Sequence, residues 1–195
     1  MRRLVRLLVL GAVCACGAAG AAESVPVDDP IEHLKRGAER FDAADYVAAQ
    51  QELAAAADGR GLRNRDLALY LLASSEALDT PPRRAEALAH FEMVAAMQQS
   101  PWRTLARVRR ADLLFEMDRA VEAREAYRAV AGTPAPEIDE VVVRYRIAEL
   151  DLRAGDSRFA IPALRRLVAE HPAHPLAERV QERLRALEPA FEMTP

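Results

Sequence analysis

The sequence predicts an all-α protein, a right-handed α-solenoid of about four helix pairs closed by a C-terminal capping helix, and three features carry that prediction. Alanine and leucine recur throughout, while aromatic residues make up only 5% of the chain. That balance favours helices, because Ala and Leu enter a helix at little cost, whereas strands draw on β-branched and aromatic residues. Equivalent alanines return at Ala49, Ala87, Ala123 and Ala160, separated by 38, 36 and 37 residues. Clusters of helix breakers stand between these recurrences: Asp58-Gly59-Arg60-Gly61, Thr80-Pro81-Pro82, Ser100-Pro101, Gly132-Thr133-Pro134-Ala135-Pro136 and Pro172.

The first element differs in kind from the rest. Arg2, Arg3 and Arg6 form a positive start, the run Leu7 to Val13 is apolar, and small residues follow from Ala15 to Ala22. This three-part pattern predicts a secretory signal peptide over 1–22, since the apolar run is too short to span a bilayer. Cleavage after Ala21 or Ala22 leaves Glu23 to Pro30 as a flexible leader. Val13-Cys14-Ala15-Cys16 also resembles the lipobox before a lipidated cysteine, which makes Cys16 a possible lipidation site and gives the chain a membrane association only in that case. Both cysteines fall in this segment, so the remainder offers no thiol for a disulfide or a metal. Without the three N-terminal arginines the chain carries 24 basic and 30 acidic residues. An acidic surface is a poor partner for phosphates, so nucleic-acid binding is not expected.

The repeat domain spans 31–188, and 189–195 reads as a disordered tail. Each of its four units reads as two helices joined by a tight turn. The recurring alanine permits close helix approach, and Leu53, Phe91, Tyr127 and Leu164 one turn later fill the space between hairpins. Helices are predicted near 31–42, 45–57, 65–79, 83–98, 102–117, 120–131, 137–154, 157–170 and 174–187. The last, with Glu178, Arg179, Glu182, Arg183 and Arg185, reads as a solvating cap for the end of the stack.

These units resemble the tetratricopeptide repeats. Gly37, Asp45-Tyr46, Ala49 and Ala56 sit where that family has its mid-helix glycine, turn, close-packing alanine and second-helix alanine, and the fourth unit repeats the theme with Gly155-Asp156, Ala160 and Pro172. Arg40 stands in place of the first-helix aromatic, and the period exceeds the family's usual length of about 34 residues. The stretch Leu167 to Ala177 resembles repeat junctions of bacterial envelope proteins such as the Tol–Pal-associated periplasmic coordinator and the barrel-assembly lipoprotein.

No catalytic or cofactor-binding constellation emerges from the sequence, and an enzyme is not expected. His171-Pro172-Ala173-His174 lies in a turn with no third ligand aimed at it. Ser74-Ser75 sits in a helix with no strand before it, and Gly59-Arg60-Gly61 lacks the Lys-Ser/Thr continuation of a phosphate loop. The resemblance instead implies a protein or peptide partner in a concave groove lined by the first helix of each pair. Carried over residue by residue, that groove comprises Leu72 and Glu76, then Arg109, Asp112 and Phe115, then Tyr145, Arg146 and Glu149. Arg109 and Arg146 hold equivalent places in successive units, beside Tyr145, and two neighbouring forks suit a carboxylate of an extended peptide. Pairing of these arginines with Asp112 and Glu149 on a solvated face is the competing reading. The function expected is a periplasmic adaptor in envelope assembly or maintenance; a structural spacer, a self-associating module or a lipid-anchored subunit of an outer-membrane complex are the alternatives.

Overall fold

The computed structural model describes residues 29–192 apart from Pro134 and Pro136, with side chains up to Leu187. The predicted signal peptide, Cys16 and residues 23–28 of the leader lie outside the described residues, as do 193–195. Among the described residues every regular element is an α-helix: α1 (Pro30–Asp42), α2 (Tyr46–Asp58), α3 (Arg65–Leu78), α4 (Arg84–Ala96), α5 (Arg103–Glu116), α6 (Ala120–Val130), α7 (Glu140–Arg153), α8 (Ser157–Glu170) and α9 (Ala177–Glu192). The chain divides into two compact units, the first ending at Arg103 and the second beginning at Thr104. Each is a stack of helix hairpins of the α-solenoid class, with consecutive helices packed in order.

The spacing seen in the sequence is the spacing of the core. Ala49, Ala87, Ala123 and Ala160 each have 0% of their surface exposed. Each donates its backbone N–H to the carbonyl of the residue just before its helix, at 2.9 to 3.2 Å from Asp45, Arg83, Arg119 and Asp156. One turn on, Leu53, Phe91, Tyr127 and Leu164 are buried to 1% exposure or less, and Ala56, Val94, Val130 and Leu167 follow at 2% or less. A methyl-sized residue at the first position lets helices approach, and the larger residues below it fill the resulting seam.

Three of the four turns within hairpins share one geometry. Ala44 (φ 61°), Asp118 (φ 57°) and Gly155 (φ 81°) adopt the left-handed conformation just past α1, α5 and α7. The next residue's N–H then bonds back five residues: Asp45 to Arg40 O at 3.0 Å, Arg119 to Leu114 O at 2.9 Å, and Asp156 to Asp151 O at 2.8 Å. This Schellman arrangement satisfies carbonyls that the helix end leaves unpaired and reverses the chain in three residues. The turn after α3 passes instead through Thr80-Pro81-Pro82, where proline cannot supply the required N–H.

The helix bounds differ from the sequence reading chiefly at α7 and α9. α7 starts at Glu140 rather than 137, because Asp139 caps it, accepting from Val141 N at 3.0 Å and Val142 N at 3.3 Å. α9 starts at Ala177 rather than 174, since His174 is held in the preceding turn by Asp139 Oδ2 at 3.0 Å and by the N–H of Leu176 at 3.1 Å. Burial alone would raise the Asp139 carboxyl pKa, but the His174 hydrogen bond and the two amides outweigh it and hold the group below its usual range. The α9 backbone continues to Glu192, past the 187 predicted for its end and into the stretch read as a tail.

Candidate protein-binding surfaces

In the first unit the polar features gather along α3. A groove of about 570 Å³ runs beside it, walled by α2 (Val47, Gln51, Ala54) and α4 (His90, Met93), with Leu69, Leu72 and Glu76 of α3 beneath. Leu72 and Glu76 are therefore not displayed on a solvent-facing first helix. They are 4% and 2% exposed, because α2 and α4 cover α3 from either side. The Glu76 carboxylate meets His90 Nδ1 at 2.8 Å and lies 3.8 Å from Arg83 Nη1. Arg83 Nη1 also donates to Gln50 Oε1 at 3.0 Å, and Gln50 Nε2 to Asp79 Oδ2 at 2.9 Å. A buried carboxylate requires such partners, since an unpaired charge away from water is costly. Gln50, Arg83 and His90 had no periodic signal to mark them, for Arg83 and His90 reach Glu76 from the other arm of its hairpin and Gln50 joins through Arg83 from α2.

In the second unit the predicted residues divide into paired carboxylates and ring-stacked arginines. Arg109 Nη1 donates to Asp112 Oδ2 at 3.2 Å, and the other Asp112 oxygen takes the Tyr127 hydroxyl at 2.6 Å. Burial, with the Asp112 charge beside it, pushes the Tyr127 phenol well above its ordinary pKa, so the hydroxyl remains a donor. Phe115 is half-buried and has two guanidiniums over its ring, Arg146 at 4.2 Å and Arg153 at 4.5 Å from the centroid. Tyr145 is only 5% exposed, because it is packed in the core shared by α7, α8 and α9 beside Ile161 and Val180. Arg179 of α9 lies 5.9 Å over the Tyr145 ring, and Glu149 pairs with Arg183 of α9 at 3.4 Å rather than with Arg146.

The anticipated pairing of acid with arginine thus holds for Arg109 and Asp112 but not for Arg146, which rests on a ring. Stacking keeps a guanidinium in a fixed plane with one face desolvated while its N–H edge remains available. Sequence reasoning missed Arg153, seven residues past Arg146 and hence on the same side of α7, and it missed Arg179 and Arg183, which share a face of α9. That helical spacing was there to be read; the charges of α9 were instead assigned wholly to solvation. Among the described residues no cluster of His, Cys, Asp and Glu is arranged to hold a metal ion, and no helix is long and apolar enough to cross a membrane.

No family model matches the chain, and no curated protein matches it in sequence. Solved structures do. One is a crystal structure of nearly identical TPR-like repeats named for a kinesin light chain of Podosopora anserina, at TM-score 0.62 and 18% identity, covering 86% of this chain and 90% of that one. A second crystal structure of those repeats, carrying a single substitution, gives TM-score 0.61 at 17% identity, covering 83% and 86%. The fold is tetratricopeptide-like. At this identity the likeness speaks for the architecture alone.

Proposed function

We propose that this TPR-like chain is an exported, periplasmic adaptor of the bacterial envelope, which holds a protein partner on the first-helix face of its second unit, formed by α5 and α7. One observation carries the choice of face: Arg146 sits 4.2 Å over Phe115, pre-oriented by a ring instead of being neutralised by Glu149. A charged fork already fixed in plane loses little freedom when it meets a carboxylate or a backbone carbonyl. The N-terminal pattern of arginines, apolar run and small residues supports export. Lipid anchoring depends on Cys16 alone.

The test is a pull-down from envelope extract with native protein and with Arg109→Ala/Arg146→Ala in parallel, together with thermal melting of both. The double variant is expected to lose the partner by about tenfold or more while its Tm moves by only a few degrees, since partly exposed ion pairs and cation–π contacts are each worth about 1 kcal/mol or less. A partner retained equally by both proteins moves the binding face elsewhere. N-terminal analysis of the exported protein separates cleavage near Ala22 from acylation at Cys16.

A further inference from the structure

We infer that the groove along α3 in the first unit is a second binding site, separate from the α5–α7 face, and that it takes an arginine side chain of a protein partner. The second unit supplies the template. There the buried acid is Asp151, which Arg128 reaches from α6 at 2.7 Å and Arg124 at 3.4 Å. Arg124 and Arg128 stand one and five residues after the buried Ala123, and the matching residues after Ala49 are Gln50 and Ala54. α2 therefore brings an amide and a methyl group where α6 brings two guanidiniums. Ala54 lines the groove of about 570 Å³, so the room that a side chain like Arg128 needs is open beside Glu76.

The charges around the groove agree with the space. Arg83 turns its fork to Glu86, at 3.2 and 3.3 Å, and to Gln50 at 3.0 Å, leaving its Nη1 3.8 Å from Glu76. Arg65 donates to the carbonyl of Ala57 at 2.8 Å. Among the lining residues and the groups bonded to them, the acids are Asp58, Glu76, Asp79 and Glu86, against Arg65, Arg83 and His90. The acids outnumber the cations even with His90 protonated. A further cation is therefore attracted, and Glu76, only 2% exposed, meets it in a low dielectric. A guanidinium suits this place better than an ammonium, because it bonds a carboxylate in-plane and sheds water more readily. The rim is apolar, with Val47 57% and Met93 40% exposed above Leu69 and Leu72, and it covers the aliphatic stem and an apolar neighbour in the partner.

The experiment is fluorescence anisotropy of the full chain with a labelled peptide of alternating arginine and leucine, beside a counterpart carrying citrulline, the uncharged analogue, in place of arginine. The arginine peptide is expected to bind about tenfold tighter or more. Ala54→Arg, which places the guanidinium on the protein itself, should weaken the peptide by about tenfold and melt no lower than the native protein. Glu76→Gln should lose the peptide too, and Ala54→Arg keeps the test decisive where Glu76→Gln fails to fold. Val121→Arg, which adds the same charge to the second unit, should bind as the native protein does. No preference for arginine over citrulline, undiminished binding by Ala54→Arg, or equal losses for Ala54→Arg and Val121→Arg overturns the inference. Self-association of the native chain that Ala54→Arg removes, read by analytical ultracentrifugation, would put a second copy in place of a separate partner. Arg109→Ala/Arg146→Ala should leave the peptide bound, so this site and the α5–α7 face fail independently.

Discussion

Gly37 and Ala44, on either side of the end of α1, illustrate how little a residue's name says without its surroundings. A Cβ built on Gly37 would lie 2.6 Å from Leu53 Cγ and 3.2 Å from the Leu53 backbone N. Leu53 is fully buried and has no room to yield. Gly37→Ala should therefore destabilise the protein by about 1–3 kcal/mol through overpacking, although alanine is the better helix former by roughly 1 kcal/mol. Ala44 has the opposite problem, with a methyl group held at φ 61°. Ala44→Gly should stabilise by about 1 kcal/mol, because glycine adopts the left-handed region without the Cβ clash. Urea denaturation of the two variants checks both signs at once; if both invert, with Gly37→Ala stabilising and Ala44→Gly destabilising, local helix propensity rather than the geometry of the two positions governs. Gly37 was legible in the sequence because a mid-helix glycine is conspicuous. The left-handed turn at Ala44 was not, since alanine carries no mark of it.

At the scale of elements, one polar arrangement occurs twice. The twelfth residue of α3 is Glu76 and that of α7 is Asp151, and both are buried. Each sits near the residue that precedes the following helix, Arg83 or Asp156, and near the residue after a buried alanine on the preceding second helix, Gln50 or Arg124. Arg83 bonds Gln50 Oε1 at 3.0 Å, whereas Arg124 spans Asp151 at 3.4 Å and Asp156 at 3.1 Å, with Arg128 adding a bond to Asp151 at 2.7 Å. Removing the carboxylate charge strands the arginines, so Asp151→Asn should cost about 2 kcal/mol, less than a fully desolvated pair because Arg128 is half-exposed. Arg128→Gln should cost under about 1 kcal/mol, as Arg124 still holds the acid. Equal losses for the two variants, by chemical denaturation, would show that Arg124 contributes nothing. The helices themselves were readable from breakers and alanine spacing. The partners of Glu76 and Asp151 were not, because they lie 27 residues away for Arg124 and 14 for His90, where no local pattern operates.

Across the whole molecule, each unit has a core of its own. Tyr70 stacks on Trp102 at 5.0 Å and meets Phe91 edge-on at 5.6 Å in the first, while Tyr145, Leu164 and Val180 anchor the second. Stability in hairpin stacks is a sum over neighbours, so damage is expected to stay near its origin. Phe91→Ala should cost roughly 3–5 kcal/mol and raise amide exchange chiefly within 29–103, and Leu164→Ala chiefly within 104–192. Hydrogen exchange read by mass spectrometry decides this; uniform loss of protection over both spans would mean a single cooperative unit. The period of 36 to 38 residues announced the stacked hairpins, because a repeat that buries one face against its neighbour must keep its spacing, but it did not mark the division after Arg103. The binding surface was read less fully, because which arginine meets a carboxylate and which meets a ring depends on the packing of α7 against α5 and α9.

The doubled polar arrangement also bears on how such a gene can be rearranged. Units of similar length look interchangeable to unequal recombination, yet the junctions after α2 and α6 carry different charges at matching places. A copy of α7–α8 placed after α2 would set Asp151 and Asp156 beside Gln50, two acids with no arginine to join them. A copy of α3–α4 placed after α6 would put Arg83 against Arg124. The α3–α4 and α7–α8 hairpins therefore each carry an address for their position in the series, and exchanging them is expected to keep the helices but mismatch these junctions.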